Sequence, residues 1–216
     1  MADTEFLDAV RTANNTALSR LGSSKALYAE TAGELDADTV LRAAARAEDS
    51  ARETFEQWTA TEVDTAAADL FADLATQEAA HAKTVAAKLG GSPSGETADD
   101  DDTVVPAIQL TLRGFETSVD RAGGLVGRCL VARASKDQYT GYFVGDADPQ
   151  TASVFRDLGN DVDEQLTRAV ALVDSVCETD EDRKRAHEAA NAAVQAAYTE
   201  YTASLESMGI NPKPVC

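Results

Sequence analysis

Glu78-Ala79-Ala80-His81 is the segment of this chain best equipped for chemistry. In a helix, a separation of three puts a carboxylate and an imidazole on one face, where both reach a single metal ion. A second helix must then offer another carboxylate. Glu48 is the best placed, with Glu53 and Glu56 as lesser candidates. Taken alone, the tetrapeptide reads more simply as a surface pair in an acidic helix. The other histidine, His187, follows Arg183-Lys184-Arg185 and reads as a partly exposed helical residue, or as a ligand completing a site with His81. Cys129, Cys177 and Cys216 lack metal-binding spacing. Two of them read as small buried hydrophobes. Cys216 is the candidate reactive thiol, suited to an intermolecular disulfide, redox sensing or delivery of a thiolate ligand.

Helices must position these groups. The chain of 216 residues is alanine-rich, has five prolines and a single tryptophan, and is 44 % apolar. Alanine is the best helix former, so the fold class expected is all-α with a thin, close-packed core. The spacing predicts helices over 6–21 and 25–35, a third from an Asp38 N-cap to Trp58, and a fourth from Glu62 or Asp64 to Leu89, stopped by Gly90-Gly91. Gly90 to Thr103, rich in Gly, Ser and Asp, is a linker with nothing to bury. Beyond it, one long helix runs from Val104 towards Ala134, with a tighter region over 137–148. Another starts near Pro149 and ends near Cys177, and a last one covers 180–207. The organisation expected is an N-terminal helical extension (1–37), a four-helix core (38–178, linker 90–103), and a C-terminal helix with an extended tail (179–216).

Thirty-eight acidic residues against 19 basic give a net charge of -19. Acid spread over every helix suits molar salt, where a Debye length of about 3 Å screens self-repulsion. That points to an archaeal-style, high-salt cytoplasm. Nothing approaches the roughly 20 apolar residues of a membrane span, so no membrane is expected. Binding of nucleic acid by the whole surface is disfavoured for want of positive charge.

The stretch from Val104 to Gly145 is an exception, with five basic side chains against three acidic. Arg113, Arg121 and Arg128 fall roughly on one side of a helix. They read either as partners for the surrounding acids or as a docking surface for an acidic protein, an anion or RNA. Gly123-Gly124-Leu125-Val126-Gly127 reads as a site of close helix contact and lacks the strand context of a phosphate-binding loop. Tyr139, Tyr142 and Phe143 read either as an apolar cover for the end of a bundle or as a recognition patch.

Two segments, Ala47-Glu48-Asp49-Ser50-Ala51-Arg52 and Ala75-Thr76-Gln77-Glu78-Ala79-Ala80-His81-Ala82, together with Phe55 and Asp69-Leu70-Phe71, resemble the first helical hairpin of the rubrerythrin-like branch of the ferritin-like family, in a haloarchaeal version. The resemblance implies a ferritin-like four-helix bundle and a metal half-site of Glu48, Glu78 and His81, with iron or another divalent metal as cofactor. Aligning Phe155 with Phe71 sets Ala132, Val162 and Gln165 where the second half-site should stand, so that half is degenerate. A shifted register would bring in Asp161 or Glu164 with Glu116 or Asp120, and no second histidine.

The function expected is therefore non-catalytic, without a cofactor: a ferritin-like helical module working through a protein partner or self-association. Its candidate surfaces are the arginine face and Tyr139 to Phe143. The alternatives are a rubrerythrin-like metal-binding oxidoreductase or iron-handling protein, and a transcription or translation regulator contacting RNA or its machinery through the basic helix.

Overall fold

The computed structural model describes residues 2–89 and 105–212, and side chains from residue 5 onward. Among these, nine helices and no strand are found. None of the helices is long and apolar enough to cross a membrane.

Local chemistry sets most boundaries. The expected first helix is two, α1 (Ala2–Ala13) and α2 (Asn15–Leu21). They part at Asn14, whose buried side chain donates to Val10 O and to Asn191 Oδ1 instead of facing water. A short α3 (Ser24–Glu30) ends in a turn where Ala32 and Gly33 both take positive φ. The next N-cap is Asp36, not Asp38, accepting from Thr39 N and opening α4 (Ala37–Thr61). Asp64 caps α5 (Thr65–Ala86) in the same way.

The long helix expected from Val104 onward is also divided. After α6 (Ala107–Arg113) the chain breaks at Gly114, and Thr117 caps a new helix, α7 (Ser118–Gly145). The supposed tighter region is simply the last turns of α7. Pro149 opens α8 (Pro149–Val176), since a first-turn residue needs no intrahelical N–H. The last helix, α9 (Asp180–Ser207), has the bounds expected, and a capping box at Thr179 and Asp182 opens it. The linker 90–103 and Cys216 lie outside the described residues.

Packing follows from side-chain size. α4 and α5 form one hairpin, α7 and α8 another, and the two face each other. Glu62 meets Arg121 and Glu48 meets Lys136, so α4 and α7 run antiparallel. His81 meets Asp161 and Asp73 meets Arg168, so α5 and α8 do too. Consequently α5 ends beside the start of α4, whereas α7 starts beside its end.

The glycines of α7 determine where α9 goes. A Cβ on Gly123 would sit 2.0 Å from Ala186 O, and one on Gly127 would sit 2.4 Å from Ala190 O. With no Cβ at either position, α9 lies parallel to α7 at backbone contact. His187 therefore faces Phe6 and Asn191 on the side of α1, and does not join His81.

Two apolar clusters fill the interior. One gathers Phe55, Trp58, Phe71, Leu74, Leu125, Val170 and Val194. The other gathers Val40, Leu41, Val85, Tyr139, Phe143 and Phe155. Along α4, Glu48 falls between Ala44 of the second cluster and Ala51 of the first. Along α5, Glu78 and His81 fall between Ala75 and Val85. A buried polar layer separates the two cores.

Candidate functional site

Each hairpin contributes differently to this layer. α4 and α5 supply Glu48, Glu78 and His81, which are 1 %, 0 % and 4 % exposed. One ligand atom from each lies within 4.8 Å of the others, a grouping that could hold a metal ion. The sequence-derived trio does converge, because helical spacing puts Glu78 and His81 on one face and the short turn at 62–64 holds α4 beside it.

From α7 and α8 come cations and an amide. Arg128 Nη2 lies 2.9 Å from Glu78 Oε2, and Lys136 Nζ lies against Glu48 Oε1. Arg128 and Lys136 stand four residues before and after Ala132, the position where the resemblance would require a carboxylate. Both are at most 4 % exposed. Gln165 spans the layer, accepting from Arg128 Nη1 (2.6 Å) and donating to Glu78 Oε1 (2.8 Å) and Gln77 Oε1 (3.0 Å). Val162 is buried in the first apolar cluster. Asp161 meets His81 Nε2 at 3.0 Å, and its half-exposed carboxylate reaches the surface.

Charge balance decides how these groups titrate. Burial pushes the Glu48 carboxyl up, the Lys136 charge pulls it back, and the neighbouring Glu78 raises it again, leaving it at about 7. Burial also pushes Glu78 up, but Arg128, a hydrogen bond with Glu48 and the Lys136 charge outweigh this and bring it down to about 2. Desolvation lowers His81, so its ring is neutral near pH 7 despite Glu78 and Asp161 beside it. Three atoms in the layer, Glu48 Oε1, Glu78 Oε2 and His81 Nδ1, accept no hydrogen bond. The first two touch cations outside hydrogen-bond geometry, so their satisfaction is electrostatic.

The other candidate residues are elsewhere. Arg121 is 5 % exposed and bonds Glu62 Oε2 (2.9 Å), Thr61 Oγ1 and Phe115 O. Arg113 bonds Glu53, Ser50 and Thr54 on α4. Within the arginine series Arg121 and Arg128 point inward against buried acids, while Arg113 stays partly exposed. Tyr139 and Phe143 are each 1 % exposed and pack on Phe155, so they cover the bundle's end and form no recognition patch. Tyr142 is half-buried and donates to Leu35 O. Cys129 is fully buried, and desolvation pushes its thiol up to about 12, so it is unreactive.

Lys136 was legible only as one more base in a positive stretch. The signal that could have found it is its placement, with Arg128, four residues either side of Ala132 on one helix face. No family model matches this chain, nor does any curated protein or solved structure.

Proposed function

We propose that this chain is a non-catalytic helical module of ferritin-like architecture, acting through protein contacts, whose central carboxylates are neutralised by fixed side-chain cations and not by metal. The pairing of two antiparallel hairpins, with α7 starting at the end of the bundle opposite to the one where α5 finishes, supports the ferritin-like reading. The observation that carries the metal-free reading is the burial of Lys136 and Arg128 against Glu48 and Glu78. Above pH 7, where Glu48 is ionised as well as Glu78, two carboxylates and two cations sum to zero. A divalent ion added to this layer brings two charges that nothing buried offsets, at a desolvation cost of several kcal/mol. It must also displace Lys136 Nζ from Glu48 Oε1.

The test is metal content. Protein purified at molar salt, incubated with Fe²⁺, Mn²⁺ or Zn²⁺ and passed through gel filtration should retain less than about 0.2 equivalents. A full equivalent, lost on His81→Ala, would overturn the reading. Sedimentation across a concentration series, with a search for a stoichiometric bound protein, tests the contact half: a chain that is monomeric and partnerless throughout counts against it.

One specific observation favours a second reading, metal binding by an oxidoreductase or iron-handling protein. Glu48, Glu78 and His81 each bring one ligand atom within 4.8 Å of the others, each has a buried polar atom without a hydrogen bond, and His81 Nε2 is oriented by Asp161 as the second nitrogen of a ligating imidazole commonly is. Such a site would hold metal through Glu48, Glu78 and His81, and requires Lys136 to leave. The same metal measurement separates the two readings.

A further inference from the structure

We propose that His187 is a pH-sensitive latch, which when neutral holds α1 and α2 against α9 and when protonated releases them. The seam between these helices is a relay of amides that ends on the imidazole. Gln195 Nε2 donates to Asn14 Oδ1 at 2.9 Å. Asn14 Nδ2 donates to Val10 O at 2.9 Å and to Asn191 Oδ1 at 2.6 Å, and Asn191 Nδ2 lies 3.1 Å from His187 Nδ1. From α1 the Phe6 ring meets His187 nearly at right angles, with centroids 6.2 Å apart. Helices of 12 and 7 residues are marginal by themselves, so α1 and α2 depend on this seam and on the buried Phe6, Val10, Ala17 and Leu21.

One backbone group fixes the direction of every donor in the relay. Val10 O can only accept, so the amide nitrogen of the buried Asn14 must face it. That nitrogen also faces Asn191, which therefore turns its oxygen to Asn14 and its nitrogen to His187. His187 Nδ1 must then accept, which requires a neutral ring with its proton on Nε2. A proton on Nδ1 sets N–H against N–H. Turning the Asn191 amide over moves that conflict to Asn14, and turning Asn14 over sets its oxygen against Val10 O. Wherever the relay yields, a hydrogen bond of the seam is lost. Histidine is the side chain that takes up such a proton between pH 5 and 8.

The charges on the packed elements are engaged elsewhere or face solvent. Arg183, one turn earlier on α9, pairs with Asp174 of α8 at 2.6 Å, and Arg185 pairs with Asp120 of α7 at 2.8 Å. Lys184 and Glu188 on α9 are exposed, as are Glu5, Asp8 and Arg11 on α1. Arg20 of α2 bonds Tyr198. The charged groups of α3 and α6 turn to Tyr139, Asn211 and Glu53.

Hydrogen exchange of the full-length chain at molar salt, read by mass spectrometry, tests this. Rates are corrected for the intrinsic effect of pH, and α4 serves as the reference in each sample so that changes in global stability cancel. From pH 8 to pH 5, the protection of 5–21 should fall about fivefold or more relative to α4. His187→Gln keeps an acceptor for Asn191 and does not titrate, so it should show no such fall. Asn191→Asp offers an oxygen to both neighbours and favours the protonated ring, so its dependence should reverse in sign. A wild-type profile parallel to α4 overturns the proposal, as does a fall that persists unchanged in His187→Gln or in Asn191→Asp. Either variant decides the matter where the other fails to fold.

Discussion

Arg128 Nη2 lies 2.9 Å from Glu78 Oε2 with both side chains almost wholly buried, so the guanidinium and the carboxylate depend on each other more than on solvent. Glu78 is held low, at about 2, chiefly by that cation against the upward push of burial. Desolvation pushes Arg128 down, but the attraction of Glu78 together with Glu48 and other neighbouring groups outweighs it, so the guanidinium is raised.

Removing one member should therefore cost far more than removing both. Arg128→Met strands a buried carboxylate, and a loss of about 3–5 kcal/mol is expected in guanidinium unfolding at fixed ionic strength. Arg128→Met combined with Glu78→Met should recover most of that loss. Arg121→Ala, which strands the buried Glu62, should show a similar deficit. Deficits under about 0.5 kcal/mol would mean these pairs are surface-like.

Lys136 is expected to be what keeps divalent metal out. Lys136→Ala removes the cation and vacates the space beside Glu48, leaving Glu48, Glu78 and His81 with one balancing charge between them. Calorimetric titration with Mn²⁺ or Zn²⁺ should show binding at least tenfold tighter than wild type, abolished by His81→Ala. Equal affinity in Lys136→Ala and wild type would defeat the idea of a side-chain cation standing in for metal.

Stability should depend on pH in two opposed windows. Glu78, ordinarily near 4.5, titrates at about 2 in the fold, so its contribution is full above 4.5 and lost as pH falls towards 2. Glu48, also ordinarily near 4.5, titrates at about 7 in the fold. Between these values the folded chain holds a proton that the unfolded chain has released, so stability falls as pH rises from 4.5 to 7. The lowered His81 opposes this below its ordinary 6.5, which makes the difference between wild type and Glu48→Gln the clean quantity. That difference should grow across pH 4.5–7 and flatten above. A flat difference would place the Glu48 proton elsewhere.

Glycine positions in α7 should behave oppositely along one helix. Gly123→Ala drives a methyl into Ala186 O and should separate α7 from α9, at about 1–3 kcal/mol or more. Gly141 has nothing within 4 Å of an added Cβ, so Gly141→Ala should stabilise by about 0.5–1 kcal/mol. Thermal melts of the two variants check both signs.

Much of the helical framework was legible because its signals are local. Pro149 announces α8, and Asp64 announces α5. Where the reading slipped, a tertiary contact had overridden the local pattern. Asn14 has helical neighbours on both sides, yet its bond to Asn191, far along the chain, divides the first helix. Gly114 divides the third long helix, and α6 is drawn onto α4 by Trp58 Nε1 donating to Leu112 O.

The site shows the same division. By itself the sequence determined that Glu78 and His81 share a helix face and that Glu48 can meet them across a short turn, because a fixed 3.6-residue period and a three-residue loop leave little freedom. Only the tertiary structure decided what those carboxylates meet. Antiparallel packing of α7 on α4 brings Lys136 to Glu48 and Arg128 to Glu78, and so turns a presumed arginine surface into the interior counter-charge. Helix periodicity says which residues share a face. Which face turns inward, and what lies opposite, is set by the register between helices far apart in the chain, and by the cost of burying a charge without its partner.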